Sequence, residues 1–280
     1  MMNRMFCGLA GILIVAYVSA RGEESHLSAK DNEDAAVSEK PTVLTVLYNN
    51  IAGDERCTAA WGMSCLVEGG AKTVLFDTGG NGRILLRNME VLGKDPGDVD
   101  IVVLSHIHAD HTGGLADFLA RNSDVQVFVP DAFPDSLKAD IRETGAELVA
   151  VRGPQKITRR IHTTGQIGMM LKEQALILET AKGIVLITGC SHPGVENLAK
   201  RAAKVCPDQP FRLITGGFHL GGASRKQVDR IIELFRSLEV RKVGPSHCTG
   251  AAATAMFREA WGDNFLNCGC GAVIKLNSKQ

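Results

Sequence analysis

The string Ser105-His106-Ile107-His108-Ala109-Asp110-His111-Thr112-Gly113-Gly114 constrains this chain more than any other feature. It follows 100–104, a short continuous apolar run that reads as a strand buried on both faces. It precedes 114–121, whose apolar spacing reads as a helix. On an extended segment, residues two apart point to the same side, so His106, His108 and Asp110 enter one space. The turn into the helix brings His111 round to the same cavity. Three imidazoles and a carboxylate suit zinc first, with iron or manganese as alternatives. A fold that carries this string must end a buried strand in an open, metal-sized gap.

Four donors on one loop cannot complete two metal shells. Other strand ends supply more. Cys190 and His192 lie in Thr188-Gly189-Cys190-Ser191-His192-Pro193-Gly194, just past the apolar run 183–188. His219 follows Gly216-Gly217-Phe218, and His247 lies in Pro245-Ser246-His247-Cys248-Thr249-Gly250. Each histidine sits beside glycine at the end of a buried strand, where loops from one sheet edge converge. Asp77, in Leu75-Phe76-Asp77-Thr78-Gly79-Gly80, ends another strand. It reads as a carboxylate that orients a ligating imidazole through its free N–H, against the alternative of a turn residue. His162 reads as a lone loop histidine, and His26 falls in a charged stretch.

The rest of the chain alternates strands and helices. Strands are expected at 42–49, 62–68, 72–76, 100–104, 125–129, 147–151, 174–180, 183–188, 211–215, 240–243 and 271–276. Helices are expected at 84–92, 114–121, 136–144, 195–205, 225–238 and 251–261. Buried strands under helices in both halves predict an α/β sandwich: two mixed sheets face to face, helices outside.

The N-terminus reads differently. Arg4, the apolar run 5–18 and Val18-Ser19-Ala20 form an export signal over 1–20, cut after Ala20. The run is shorter than the about 20 residues a membrane span needs, so an uncleaved anchor is the minor alternative. Residues 21–40 carry six acids and three bases and read as a solvated linker. One domain then occupies 41–280. Seven cysteines follow the signal, an odd number that cannot all pair internally. Bases and acids balance at 31 each, which gives no electrostatic case for nucleic-acid binding.

These motifs resemble the metallo-β-lactamase superfamily over 42–276. Asp77-Thr78-Gly79, the His-x-His-x-Asp-His of 106–111 and the later strand-end histidines carry the likeness. Trp61-Gly62-Met63-Ser64 and the strings around Cys190, His219 and His247 are similar to its branch of metal-dependent hydrolases like ribofuranosylaminobenzene 5′-phosphate synthase. The resemblance implies the αββα fold and one or two divalent ions at one sheet edge. It implies His106, His108 and His192 around the first ion, and Asp110, His111 and His247 around the second. The superfamily usually bridges its ions with an Asp after a late strand. Here Cys190 follows Thr188-Gly189 and Phe218 follows Gly216-Gly217. Cys190 as thiolate or His219 as imidazole is left to supply that contact.

The expected function is an exported hydrolase that uses a metal-bound hydroxide on an ester, phosphoester or lactone-like small molecule. Asp110 would orient the nucleophilic water or accept its proton. Competing readings are a non-hydrolytic synthase, a di-iron oxidoreductase, and a non-catalytic metal or ligand binder. No stable membrane insertion is expected once the signal is removed.

Overall fold

The computed structural model describes residues 42–276; the expected signal at 1–20 and linker at 21–40 lie outside them. The first sheet holds β1 (Val43–Asn49), β2 (Met63–Glu68), β3 (Val74–Phe76), β4 (Ile101–Val103), β5 (Gln126–Pro130), β6 (Glu147–Val151) and β13 (Val273–Lys275). Their order is β13-β1-β2-β3-β4-β5-β6. The second holds β7 (Gln155–Thr158), β8 (Ile161–Thr163), β9 (Leu176–Thr180), β10 (Gly183–Thr188), β11 (Phe211–Gly217) and β12 (Lys242–Ser246), in the order β12-β11-β10-β9-β8-β7. Both sheets are mixed. β3 to β6 run parallel, as do β10 to β12, and the remaining neighbours pair antiparallel.

Alternation along the strands builds the layers, because successive side chains leave opposite faces. On β3, Val74 and Phe76 enter the layer between the sheets, while Leu75 turns outward. On β10, Val185 and Ile187 face inward, and Ile184 and Leu186 outward. The outward residues are covered by helices. Leu85 and Met89 of α1 (Gly82–Val91), Phe118 of α3 (Leu115–Leu119) and Ile141 of α4 (Asp135–Glu143) cover the first sheet. Leu198 of α5 (Val195–Val205), Phe235 of α6 (Arg225–Ser237) and Phe257 of α7 (Ala251–Trp261) cover the second. Each such side chain contributes roughly 1.5–3 kcal/mol on burial. The result is an αββα sandwich.

Two local expectations are corrected. The helix expected at 114–121 is present as α3, but a separate helical turn, α2 (Ala109–Thr112), precedes it, so Asp110 lies on a helical turn inside the histidine string rather than on extended backbone. Gly113 and Gly114 make the break. A Cβ on Gly114 would lie 2.1 Å from the Thr78 carbonyl oxygen, and one on Gly113 2.5 Å from that of Gly80. Backbone packs on backbone here. The second correction is at 155–163, where β7 and β8 form a pair the sequence did not suggest. Their alternation is broken by a register irregularity between Lys156 and Thr158 and by Arg159-Arg160. His162 is therefore on a strand rather than in a loop, and its Nε2 meets the Glu179 carboxylate of β9.

The parallel strands matter for function. β3, β4, β10, β11 and β12 all release their chains at their carboxyl ends, and every candidate donor assigned from the sequence follows one of them. The two edges are tied together. Asn49 donates to Ser246 Oγ (3.2 Å), and Gln174 Nε2 donates to the Leu104 carbonyl (2.9 Å). No helix among the described residues is long and apolar enough to cross a membrane.

Candidate metal centre

Asp77 is the fixed point of the site. It is fully buried and holds a left-handed backbone, φ 57°, at the end of β3. Its Oδ1 accepts from the Ser105 N–H (2.6 Å), and its Oδ2 from the Ser105 hydroxyl (2.7 Å). His111 Nδ1 lies 2.7 Å from the same Oδ2. A carboxylate can only accept, so His111 carries its proton on Nδ1 and aims Nε2 into the site. Burial works to lower the His111 pKa, but the Asp77 charge and hydrogen bond outweigh it and hold the pKa raised. Thr78 fixes the other side of the turn, donating N–H and hydroxyl to the His111 carbonyl (2.8 and 2.9 Å).

His106, His108 and His192 bring one donor each to within 4.8 Å of one another. His106 Nδ1 is occupied by the Ser105 hydroxyl at 2.9 Å. The Nε2 atoms of His106 and His192 are buried and have no hydrogen-bond partner. An unsatisfied buried polar atom costs about 1–3 kcal/mol. Burial and the neighbouring imidazoles push the His106 pKa far down and bring His192 down to about 4. These rings are neutral near pH 7, and their lone pairs point at a common gap. Such a donor set fits a borderline divalent cation.

Asp110, His111, Cys190 and His247 form a second group on the same criterion. Asp110 Oδ2 lies 3.2 Å from His247 Nε2 and 3.6 Å from His111 Nε2. His111 Nε2 lies 3.2 Å from Cys190 Sγ and 3.3 Å from His247 Nε2. His247 is oriented by Asn50 Oδ1, 2.9 Å from its Nδ1, and is flanked by the Trp61 ring at 4.9 Å. Burial would raise the Asp110 pKa; His247 and His111 overcome it and hold the carboxyl at about 2. The Cys248 thiol beside it, together with burial, pushes the Cys190 thiol up. A cation within reach reverses that balance and favours thiolate.

Cys190 also groups with His192 and His219. It thus belongs to the second group and also reaches one member, His192, of the first. His219 stacks on His192 at 4.2 Å between ring centroids but does not join Asp110, His111 and His247. Of the two residues left open for the missing bridge, Cys190 groups with Asp110, His111 and His247, and His219 does not. The six histidine and aspartate residues assigned to two ions divide between the same two groups in space.

Sequence reasoning missed Glu173. It is fully buried, and its carboxylate accepts the backbone N–H groups of Cys190 (2.9 Å), Ser191 (2.7 Å) and His192 (2.8 Å). Burial raises its pKa to about 7, against the lowering effect of the Ser191 and His192 amides. Glu173 thereby sets the loop that carries two donors. The available signal was an acid two residues before the apolar run 175–178, where a solvated charge has little room.

The model of the metallo-beta-lactamase superfamily matches residues 62–171. The 7,8-dihydropterin-6-methyl-4-(beta-D-ribofuranosyl)-aminobenzene-5'-phosphate synthase of Methanocaldococcus jannaschii is 30% identical over 262 residues, covering 76% of this chain and 89% of that protein. The chain belongs to the metallo-beta-lactamase superfamily. As a superfamily member, it is also similar to a solved metal-dependent hydrolase of the beta-lactamase superfamily. That match has 26% identity and a TM-score of 0.69 over 85% of this chain and 100% of the other. The metallo-beta-lactamase fold protein YhfI from Bacillus subtilis covers the same shares at 14% identity and a TM-score of 0.62, a likeness of fold alone. The metallo-beta-lactamase fold implies a divalent metal, and the two donor groups are where this chain would hold it.

Proposed function

We propose that the protein is a metal-dependent hydrolase of a small molecule with an ester, phosphoester or lactone-like bond. The observation that carries this reading is the pair of unsatisfied Nε2 atoms on His106 and His192, beside the four-donor group around Cys190. His106, His108 and His192, with Asp110, His111 and His247, would hold a divalent ion there, zinc first, which would supply Lewis acidity and make hydroxide available near neutral pH.

The chain's own groups do the rest. Asp77 holds His111 in one tautomer through a 2.7 Å contact, so the ring cannot swing. Asn50 does the same for His247. Asp110 is ionised at neutral pH and only partly buried, with 19% of its side chain exposed. In this reading it orients an attacking water or accepts its proton. Glu173 keeps Cys190 and His192 in register.

The similarity to a synthase supports a second reading, in which a substrate group replaces water as the attacking species on the same scaffold. A screen of zinc-loaded protein on p-nitrophenyl acetate, bis(p-nitrophenyl) phosphate and a γ-lactone decides between them. The hydrolase reading expects turnover that chelation abolishes and added metal restores. Turnover indifferent to the chelator, or none on any of the three, overturns it. Export is proposed from the signal over 1–20. Sequencing the native protein should find Arg21 first; Met1 in the membrane fraction overturns that.

A further inference from the structure

A cavity of about 820 Å³ opens against His192. One wall is α5, which presents Lys200, Arg201 and Lys204 to it. The lysines are four residues apart, one helical turn, so their ammonium groups sit on the same side. Neither forms an ion pair among the described residues. Arg201 reaches only the Thr164 carbonyl, at 3.5 Å. The facing wall is the tip of a short hairpin closed by paired backbone hydrogen bonds between Ile167 and Glu173, both 2.9 Å. That tip exposes Met169 and Met170 almost completely, at 93% and 102%. The base of the hairpin is Glu173, which holds the amide of His192. The cavity is thus joined by one residue to the metal centre.

Each wall makes a chemical demand. Three cations without carboxylate partners, facing a cavity, favour a multiply charged anion with several acceptor oxygens. Two exposed thioethers are soft, unbranched and adaptable, and they lose water most favourably against an apolar group. The volume is in the range that encloses a small organic ligand. We propose that this cavity is the substrate pocket, and that it selects a small molecule bearing a phosphate-type group and an apolar group. The anion lies on Lys200, Arg201 and Lys204, and the apolar group lies under Met169 and Met170. The selection concerns binding; only the identification of the molecule as substrate rests on the hydrolase reading.

The test uses the full-length zinc-loaded protein and three probes: phenylphosphonate, inorganic phosphate and anionic phospholipid vesicles. Calorimetry should show phenylphosphonate binding more tightly than phosphate. K200Q/K204Q should weaken phenylphosphonate about tenfold, or about 1.4 kcal/mol, with the zinc content unchanged. M169S/M170S should weaken phenylphosphonate severalfold and leave phosphate unaltered. Equal affinity for phenylphosphonate in the wild type and both variants overturns the pocket, since the anion would then sit on the ions alone. Vesicle binding that M169S/M170S abolishes, with no phenylphosphonate binding, overturns it in favour of a membrane surface. Phenylphosphonate binding with the expected variant pattern, but no turnover of p-nitrophenyl acetate, bis(p-nitrophenyl) phosphate or the γ-lactone, supports the pocket and defeats the hydrolase reading instead.

Discussion

The two donor groups are built from similar residues and differ in what they lack. His106, His108 and His192 carry no carboxylate, and two of their nitrogens have no partner. Asp110, His111, Cys190 and His247 already contact one another at 3.2–3.6 Å and are backed by Asp77 and Asn50. The first group is organised around a gap. The second satisfies itself, and a cation there must displace existing contacts and a thiol proton. Unequal binding follows from that difference. The first position should fill first, although it has the less negative donors.

The largest expected effect tests the first half of the contrast. Changing His106 and His108 together to Ala should remove about one equivalent of metal per chain, read by elemental analysis, because one imidazole cannot hold the ion alone. Retention of the full complement would place the tight site elsewhere. Asp77→Asn comes next. It replaces an acceptor that serves Ser105 twice and His111 once, all of it buried. A loss of about 3–5 kcal/mol in denaturant unfolding is expected, along with weaker metal uptake at the second group.

Glu173→Gln is a smaller perturbation that should be felt in the first group more than the second. The new amide nitrogen must face at least one N–H of the 190–192 loop, at a cost of about 1–3 kcal/mol. Unchanged stability would mean the loop holds itself. Cys190→Ser should then weaken the second ion by about tenfold, or about 1.4 kcal/mol, and make it the first lost to a mild chelator. His219→Ala is its comparison and should leave that ion in place; the reverse outcome would make His219 the shared donor. The smallest effect belongs to His162→Ala. It removes a half-buried contact from β8 to Glu179 of β9 and should cost under about 1 kcal/mol, with metal content constant.

Legibility in the sequence followed periodicity. Strands buried on both faces, such as β4 and β10, were plain because a short continuous apolar run bounded by polar residues or glycine has few other readings. The outer pair β7 and β8 was not, because its strands are short, half-buried and out of register. The histidines were found because each follows a legible strand. Glu173 and Asn50 were not, since they act through backbone amides or the far nitrogen of a ring, and no spacing rule announces a contact of that kind. The separate helical turn at 109–112 depended on Gly113 and Gly114 meeting a loop over thirty residues away, which only the assembled fold could place.

The same close fit limits where the protein can change. At Gly113 and Gly114 not even a methyl group can be inserted without moving the loop at 78–80. The histidine string is therefore closed to gradual variation, and any drift in chemistry must enter elsewhere. The hairpin between Ile167 and Glu173 is the opposite case: its tip touches almost nothing, while its closing pair is fastened. Met169 and Met170 at its tip can be exchanged while both ends stay anchored, whereas Gly168, at φ 112° and with a Cβ placed 2.2 Å from the Leu171 carbonyl oxygen, must stay glycine. For anyone seeking to redirect this scaffold to a new molecule, that hairpin is the place to graft diversity, and the loop that follows β4 is the place to leave alone.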